Sequence, residues 1–95
     1  MATSTGTVQE AALLVECRDQ AEIDYYWNEL TRGGDPAAQR CGWLKDEFGV
    51  SWQIVPRELG QMMSDPDPAR VGRVVEAFMP MTKLDIATLR EAYGR

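Results

Sequence analysis

The hydrophobic positions of this chain change spacing along its length, and the changes predict a strand, a helix, a hairpin and further helices. Residues 11–17 form a short apolar run bounded by a turn, which is typical of a buried strand. Asp19 follows, with Glu22 three residues later, a pairing typical of the first turn of a helix. Apolar side chains then recur at helical spacing, and we expect this stripe to face the core: Ile23, Tyr26, Trp27 and Leu30.

The middle of the chain predicts a β-hairpin. Its strands are expected at residues 40–45 and 51–55, joined by a loop in which Gly49 supplies a positive φ. If Lys45 lies opposite Ser51, strand alternation assigns the side chains to two faces. One face then carries Cys41, Trp43, Ser51, Gln53 and Val55, and the other Leu44, Trp52 and Ile54. A slip of one residue would exchange these faces.

Two further segments complete the pattern. Residues 37–39 fit either a weak extra strand or the approach to the hairpin. Beyond Pro56 the chain is helical: a short helix over residues 58–63, a longer one that begins after Asp67, and a last one that begins near Asp85. We therefore divide the chain into a flexible tail (1–10), a strand and helix unit (11–56) and a helical extension (57–95). The fold class is α+β.

Length and charge limit the partners of this chain. A domain of 95 residues buries only about 60% of its unfolded surface, so partner surface would add stability. Fifteen acidic and ten basic residues give a net charge of −5, which repels phosphate backbones and anionic lipid. No apolar run approaches the ~20 residues of a membrane span, and the amino terminus lacks a secretory pattern. We expect a cytoplasmic protein that binds neither nucleic acid nor membrane.

Histidine is absent, which removes the commonest metal ligand and the default general base. Cys17 and Cys41 lie far apart and form no Cys-x-x-Cys pair, so we interpret them as free thiols in a reducing compartment. Any enzymatic mechanism would have to work without imidazole.

Several short motifs together carry a family resemblance. They are residues 15–20, Tyr26-Trp27, residues 41–46 with Phe48-Gly49, residues 51–56, residues 64–68 and Ala92-Tyr93. As a set, spanning roughly residues 12–93, they resemble the PhnB-like branch of the vicinal oxygen chelate superfamily, the glyoxalase and bleomycin-resistance fold. That branch is often catalogued under the name 3-demethylubiquinone-9 3-methyltransferase. The resemblance implies a βαβββ half-module with a curved mixed sheet, followed here by the C-terminal helices.

A typical member of that superfamily has two such modules around a pocket, and this chain resembles only the second. A single module would leave the concave side of its sheet, with Leu14, Trp43 and Val55, in water. We therefore expect a homodimer in which a second copy completes the fold. The alternative is that the C-terminal helices fold back and cover the same face within one chain.

The resemblance also bears on the candidate site. In metal-dependent members the last strand carries a glutamate soon after the Asp-x-x-Gly turn and the first strand often a histidine, whereas this chain has Gln53 and a position near Ala12. We expect no metal and no other cofactor, because a neutral amide alone binds transition metals weakly. Gln53 would instead offer an amide to a small ligand, with Trp43 as an apolar wall and Ser51 or Glu16 as secondary polar groups. Alternatively, Gln53 and Trp43 fill the dimer interface.

Three functional classes follow from these residues: a metal-free module that binds a small molecule, a metal-dependent enzyme of the superfamily, and an accessory half-module without a pocket. The sequence identifies no reaction. A methyltransferase is not supported, since no strand-loop-helix segment carries a glycine-rich nucleotide fingerprint.

Overall fold

The computed structural model describes residues 12–95 and contains, within that range, three strands and four helices. The predicted tail at residues 1–10 lies outside the described residues. The strands are β1 (Leu13–Cys17), β2 (Trp43–Lys45) and β3 (Ser51–Pro56), and the helices are α1 (Gln20–Leu30), α2 (Arg57–Met63), α3 (Pro68–Phe78) and α4 (Ile86–Gly94). None of the helices in this range is long and apolar enough to cross a bilayer. The architecture confirms the α+β class.

The sheet is mixed and open, with β3 between its two neighbours. β3 runs parallel to β1 and antiparallel to β2. Lys45 pairs with Ser51, as predicted from the sequence, so Trp43 lies opposite Gln53. This register places Leu44 and Ile54 on the side covered by α1, where both are buried.

The extra strand considered for residues 37–39 is absent from the described part of the chain. These residues belong instead to a 3-10 turn, Pro36–Ala38, in which the Asp35 carboxylate accepts a hydrogen bond from the backbone N–H of Ala37 at 2.9 Å. This local turn occupies backbone groups that would otherwise bond a neighbouring strand. Within the described residues, the pairing that remains next to it is a single bridge between Arg40 and Trp43. The full βαβββ pattern is therefore not seen in this sheet.

The first hairpin strand is shorter than predicted because residues 41 and 42 turn the chain. Cys41 and Gly42 have φ values of 50° and 86°, and the backbone N–H of Trp43 donates to the carbonyl of Arg40 at 2.7 Å. Two consecutive residues with positive φ form the type I′ turn that joins two antiparallel segments. Cys41 is therefore a turn residue, and its predicted place on the face of the strand is wrong.

Helix α1 begins and packs as the sequence indicates, with one exception. The Asp19 carboxylate accepts a hydrogen bond from the N–H of Glu22 at 2.9 Å, and Ile23 and Trp27 are buried against the sheet. Tyr26 was expected in the core but is 37% exposed, and its ring contacts Tyr25 edge-on with 5.2 Å between centroids. Because Tyr26 lies at the margin of the apolar stripe, it forms a surface pair instead.

The C-terminal helices cover one end of the sheet. Val55 is only 9% exposed, and it packs in a second core cluster with residues contributed by α2, α3, the α3–α4 connection and α4: Met62, Val74, Leu84 and Leu89. The expectation that Val55 would lie in water is therefore wrong. At this end of the face, the alternative in which the chain covers its own sheet is correct.

The segment that joins α3 to α4, together with the first residue of α4, holds these helices to the sheet; residues 79–86 are called the strap. At one end, the N–H groups of Cys41 and Gly42 donate to the carbonyls of Met81 and Thr82 at 2.7 and 2.8 Å. At the other end, the Gln20 side chain donates to the Leu84 carbonyl at 3.0 Å and accepts from the Ile86 N–H at 2.8 Å. Gln20 thus bonds the strap as a neighbouring strand would.

Asp46 organises the hairpin loop. One carboxylate oxygen accepts from the N–H groups of Phe48 and Val50, and the other accepts from the Trp52 indole N–H, each at 2.9 Å. These donors, the indole first, hold the pKa of Asp46 below its usual value. Gly49 has a φ of 81°, which confirms its predicted role in the turn.

Replacing Gln20 by Ala should destabilise the protein by about 1–3 kcal/mol, because a partly buried carbonyl and N–H of the strap lose their partner. Urea unfolding measures the change. The matched control is Gln61→Ala, in an exposed helical position, which should stay within about 0.5 kcal/mol of the parent. Equal effects of the two substitutions would contradict the bonding role of Gln20.

Replacing Asp46 by Asn should lower stability at neutral pH, since the amide nitrogen cannot accept from the Trp52 indole. The folded state depresses the Asp46 pKa, so its stabilising effect is present above the unfolded pKa and is lost as pH falls through the folded value. The difference in the free energy of unfolding between parent and variant should therefore become smaller below about pH 4. Asp35→Asn, which keeps an acceptor for the Ala37 N–H, serves as the control. A difference in the free energy of unfolding that does not change with pH would refute the prediction.

Candidate ligand face of the sheet

The sheet register aligns three side chains across the face that α1 does not cover. Leu14 of β1 pairs with Gln53 of β3, and Gln53 pairs with Trp43 of β2. Paired residues on neighbouring strands point to the same side of a sheet. Leu14, Gln53 and Trp43 therefore form one row, called the Gln53 row below.

This row combines an amide with two apolar neighbours that solvent reaches. Leu14 is 58% exposed and Trp43 is 36% exposed, while Gln53 between them is partly buried. Within residues 12–95 the Gln53 side chain forms no hydrogen bond to another residue, and its amide carries both donors and an acceptor. An amide between an indole and an aliphatic wall is a common composition for a small-molecule site.

The other two predicted site residues lie on the same face, one on each side of the row. Ser51 is on β3, paired with Lys45, and is partly buried. Glu16 is exposed on β1 and pairs with Val55, next to the end that the C-terminal helices cover. The structure thus brings Gln53, Trp43, Ser51 and Glu16 to one surface. Their role in binding stays a prediction.

Sequence reasoning missed Arg40. In a continuous strand over residues 40–45, Arg40 would share the side of Leu44, towards α1. The turn at Cys41-Gly42 reverses the chain, so Arg40 bridges Trp43 and extends the row by one position. Cysteine rarely adopts a positive φ, so little in the sequence indicated this turn. Its one signal was Gly42, the glycine that follows Cys41.

Neither thiol belongs to the row. Cys17 is fully buried, and its pKa is raised to about 11 by burial first and then by the nearby carboxylates of Glu22 and Asp19. Cys41 is partly exposed, and its thiol donates to the Met79 carbonyl at 3.1 Å. Both cysteines are free, as the sequence predicted.

Two surface depressions lie elsewhere, beside α4. One, of about 240 Å³, is lined by Glu58, Gln61, Met62, Arg90 and Tyr93. The other, of about 210 Å³, is lined by Asp19, Gln20, Asp85, Ile86, Ala87 and Arg90. Arg90 borders both, but its guanidinium is already paired with both oxygens of Glu58 at 2.7 Å. Across residues 12–95, no three His, Cys, Asp or Glu side chains form a group that could hold a metal ion.

Comparison with known families identifies the chain. The family model described as 3-demethylubiquinone-9 3-methyltransferase matches residues 2–55, more than half of the sequence. The chain belongs to this family. The match confirms the resemblance drawn from the motifs and indicates a glyoxalase-like fold; it extends through β1, α1, β2 and most of β3, and stops before the C-terminal helices. No curated protein matches the chain.

Proposed function

We propose that two copies of this chain pair through the open sheet face and enclose a metal-free pocket for a small molecule. The observation that carries this proposal is the Gln53 row with its exposed Leu14 and Trp43, beside which the C-terminal helices of the same chain cover Val55. Exposed apolar side chains that adjoin on one face favour association. A two-fold dimer is the commonest way to bury such a surface against itself.

The chemistry of the pocket follows from the row. Gln53 would orient the ligand through one donor and one acceptor, and the Trp43 indole would contact a planar apolar part of it. Ser51 and Glu16 would supply secondary polar contacts from β3 and β1. The family description alone does not make this chain a methyltransferase, because β1 runs through Arg18-Asp19 directly into α1 without the glycines that a nucleotide-binding turn needs.

Replacing Leu14 by Asp should abolish the dimer, since a carboxylate would be desolvated in the interface. Sedimentation velocity should show dimer for the parent and monomer for the variant. Leu13→Asp is the matched control: Leu13 is 51% exposed, adjoins Leu14 and points to the other side of the sheet. A monomeric parent, or equal effects of the two substitutions, would overturn the proposed assembly.

The pocket is tested with a neutral planar probe, 4-hydroxybenzamide, which can exchange two hydrogen bonds with the Gln53 amide. The probe should raise the melting temperature of the parent, because a ligand that binds only the folded state stabilises it. Gln53→Ala should remain dimeric but lose this response, whereas Gln61→Ala, on α2, should keep it. If Gln53 only fills the interface, the probe will not raise the melting temperature of the parent. Gln53→Ala will then weaken the dimer.

A further inference from the structure

Most basic side chains of this protein are already bonded within the chain. All ten lie in the described range, and six form ion pairs with carboxylates: Arg18, Arg32, Arg70, Lys83, Arg90 and Arg95. Arg73 donates to the carbonyls of Ala92 and Arg95. Within residues 12–95, the three basic side chains without such a partner are Arg40, Lys45 and Arg57.

Two of these three lie on the open face. The Arg40 and Trp43 backbones exchange hydrogen bonds of 3.0 and 2.7 Å, which places both side chains on one side of the turn. The row therefore reads Leu14, Gln53, Trp43, Arg40. Lys45 follows Trp43 by two positions on β2 and so shares its face. Both are exposed. In a chain of net charge −5, unpaired cations are thus concentrated beside the candidate amide.

We infer that the pocket binds a planar carboxylate, with Arg40 as the charge anchor, the Gln53 amide as the polar contact at the other end of the ligand, and the Trp43 indole between them. This inference rests on the proposed function. Closing a second copy over Arg40 would remove the guanidinium from water, which is costly unless a counter-ion accompanies it. A guanidinium donates two parallel hydrogen bonds to a carboxylate, and Lys45 adds a second positive charge.

The competing counter-ion on this face is Glu16. It lies on β1, two strands away from β2, so roughly 10 Å of sheet separates it from Trp43 and Arg40 lies farther still. Within one chain, the Glu16 carboxylate is therefore not positioned to neutralise Arg40. Across a dimer, Glu16 of the second copy would be the alternative partner, and the experiment must separate it from a ligand.

The test compares two probes of one shape on the full chain by isothermal titration calorimetry: 4-hydroxybenzoate, which is charged, and 4-hydroxybenzamide, which is not. The benzoate should bind at least about tenfold more tightly to the parent. Arg40→Gln should remove this preference, and Lys45→Gln should reduce it. Arg57→Gln, which removes an exposed arginine that forms no close ion pair within residues 12–95 and lies at the start of α2, should leave the preference unchanged. Added salt should weaken the binding of the benzoate more than the binding of the benzamide.

Four results would overturn the inference. Equal affinity of the two probes would mean that the pocket has no preference for anions, and the proposed function would stand without it. If Arg40→Gln and Arg57→Gln reduce the preference for benzoate equally, that preference reflects the net charge of the protein and not Arg40. Dimer dissociation on Arg40→Gln without any probe, reproduced by Glu16→Gln, would make Arg40 an interface residue. A monomeric parent that binds neither probe would instead refute the proposed function as well.

Discussion

The pairing register of β3 is the constraint on which the rest of the structure depends. β3 is bonded on both sides, so its alignment decides which side chains of β1 and β2 face α1 and which face solvent. A slip of β3 by one residue against its neighbours would bring Gln53 under the helix and expose Ile54. The buried cluster under α1 and the open Gln53 row are therefore two consequences of one alignment.

The C-terminal helices add a second level of organisation that depends on polar contacts. Their apolar cluster includes Val55, while the strap is positioned by the Gln20 amide and by the N–H groups of the Cys41-Gly42 turn. Hydrogen bonds of this kind contribute little net stability each, but they specify where a segment lies. This is why the helices cover one end of the sheet and leave the Gln53 row uncovered.

The features predicted correctly from the sequence are those with a local cause. Asp19 caps α1 because its side chain reaches a backbone N–H three residues on, and the Lys45–Ser51 register follows from the alternation of apolar residues around a glycine turn. The errors concern contacts between distant segments and two local turns, at residues 36–38 and 41–42. The burial of Val55 depends on helices that follow it in the chain, and the bonding of Gln20 to the strap has no periodic signature. The position of Arg40 depends on a single turn.

Two residues of the open face act in the same electrostatic direction. Gln53 is a neutral amide, and Arg40, which forms no ion pair within residues 12–95, extends the same row as a cation. A carboxylate at the position of Gln53 would favour a cation, whereas the amide adds no charge and the Arg40 guanidinium raises the energy of a divalent ion and lowers that of an anion. If the proposed dimer encloses a ligand on this face, Arg40 and Lys45 would therefore favour one that is negatively charged, and a second copy would bring a further Arg40 and Lys45 to the same pocket.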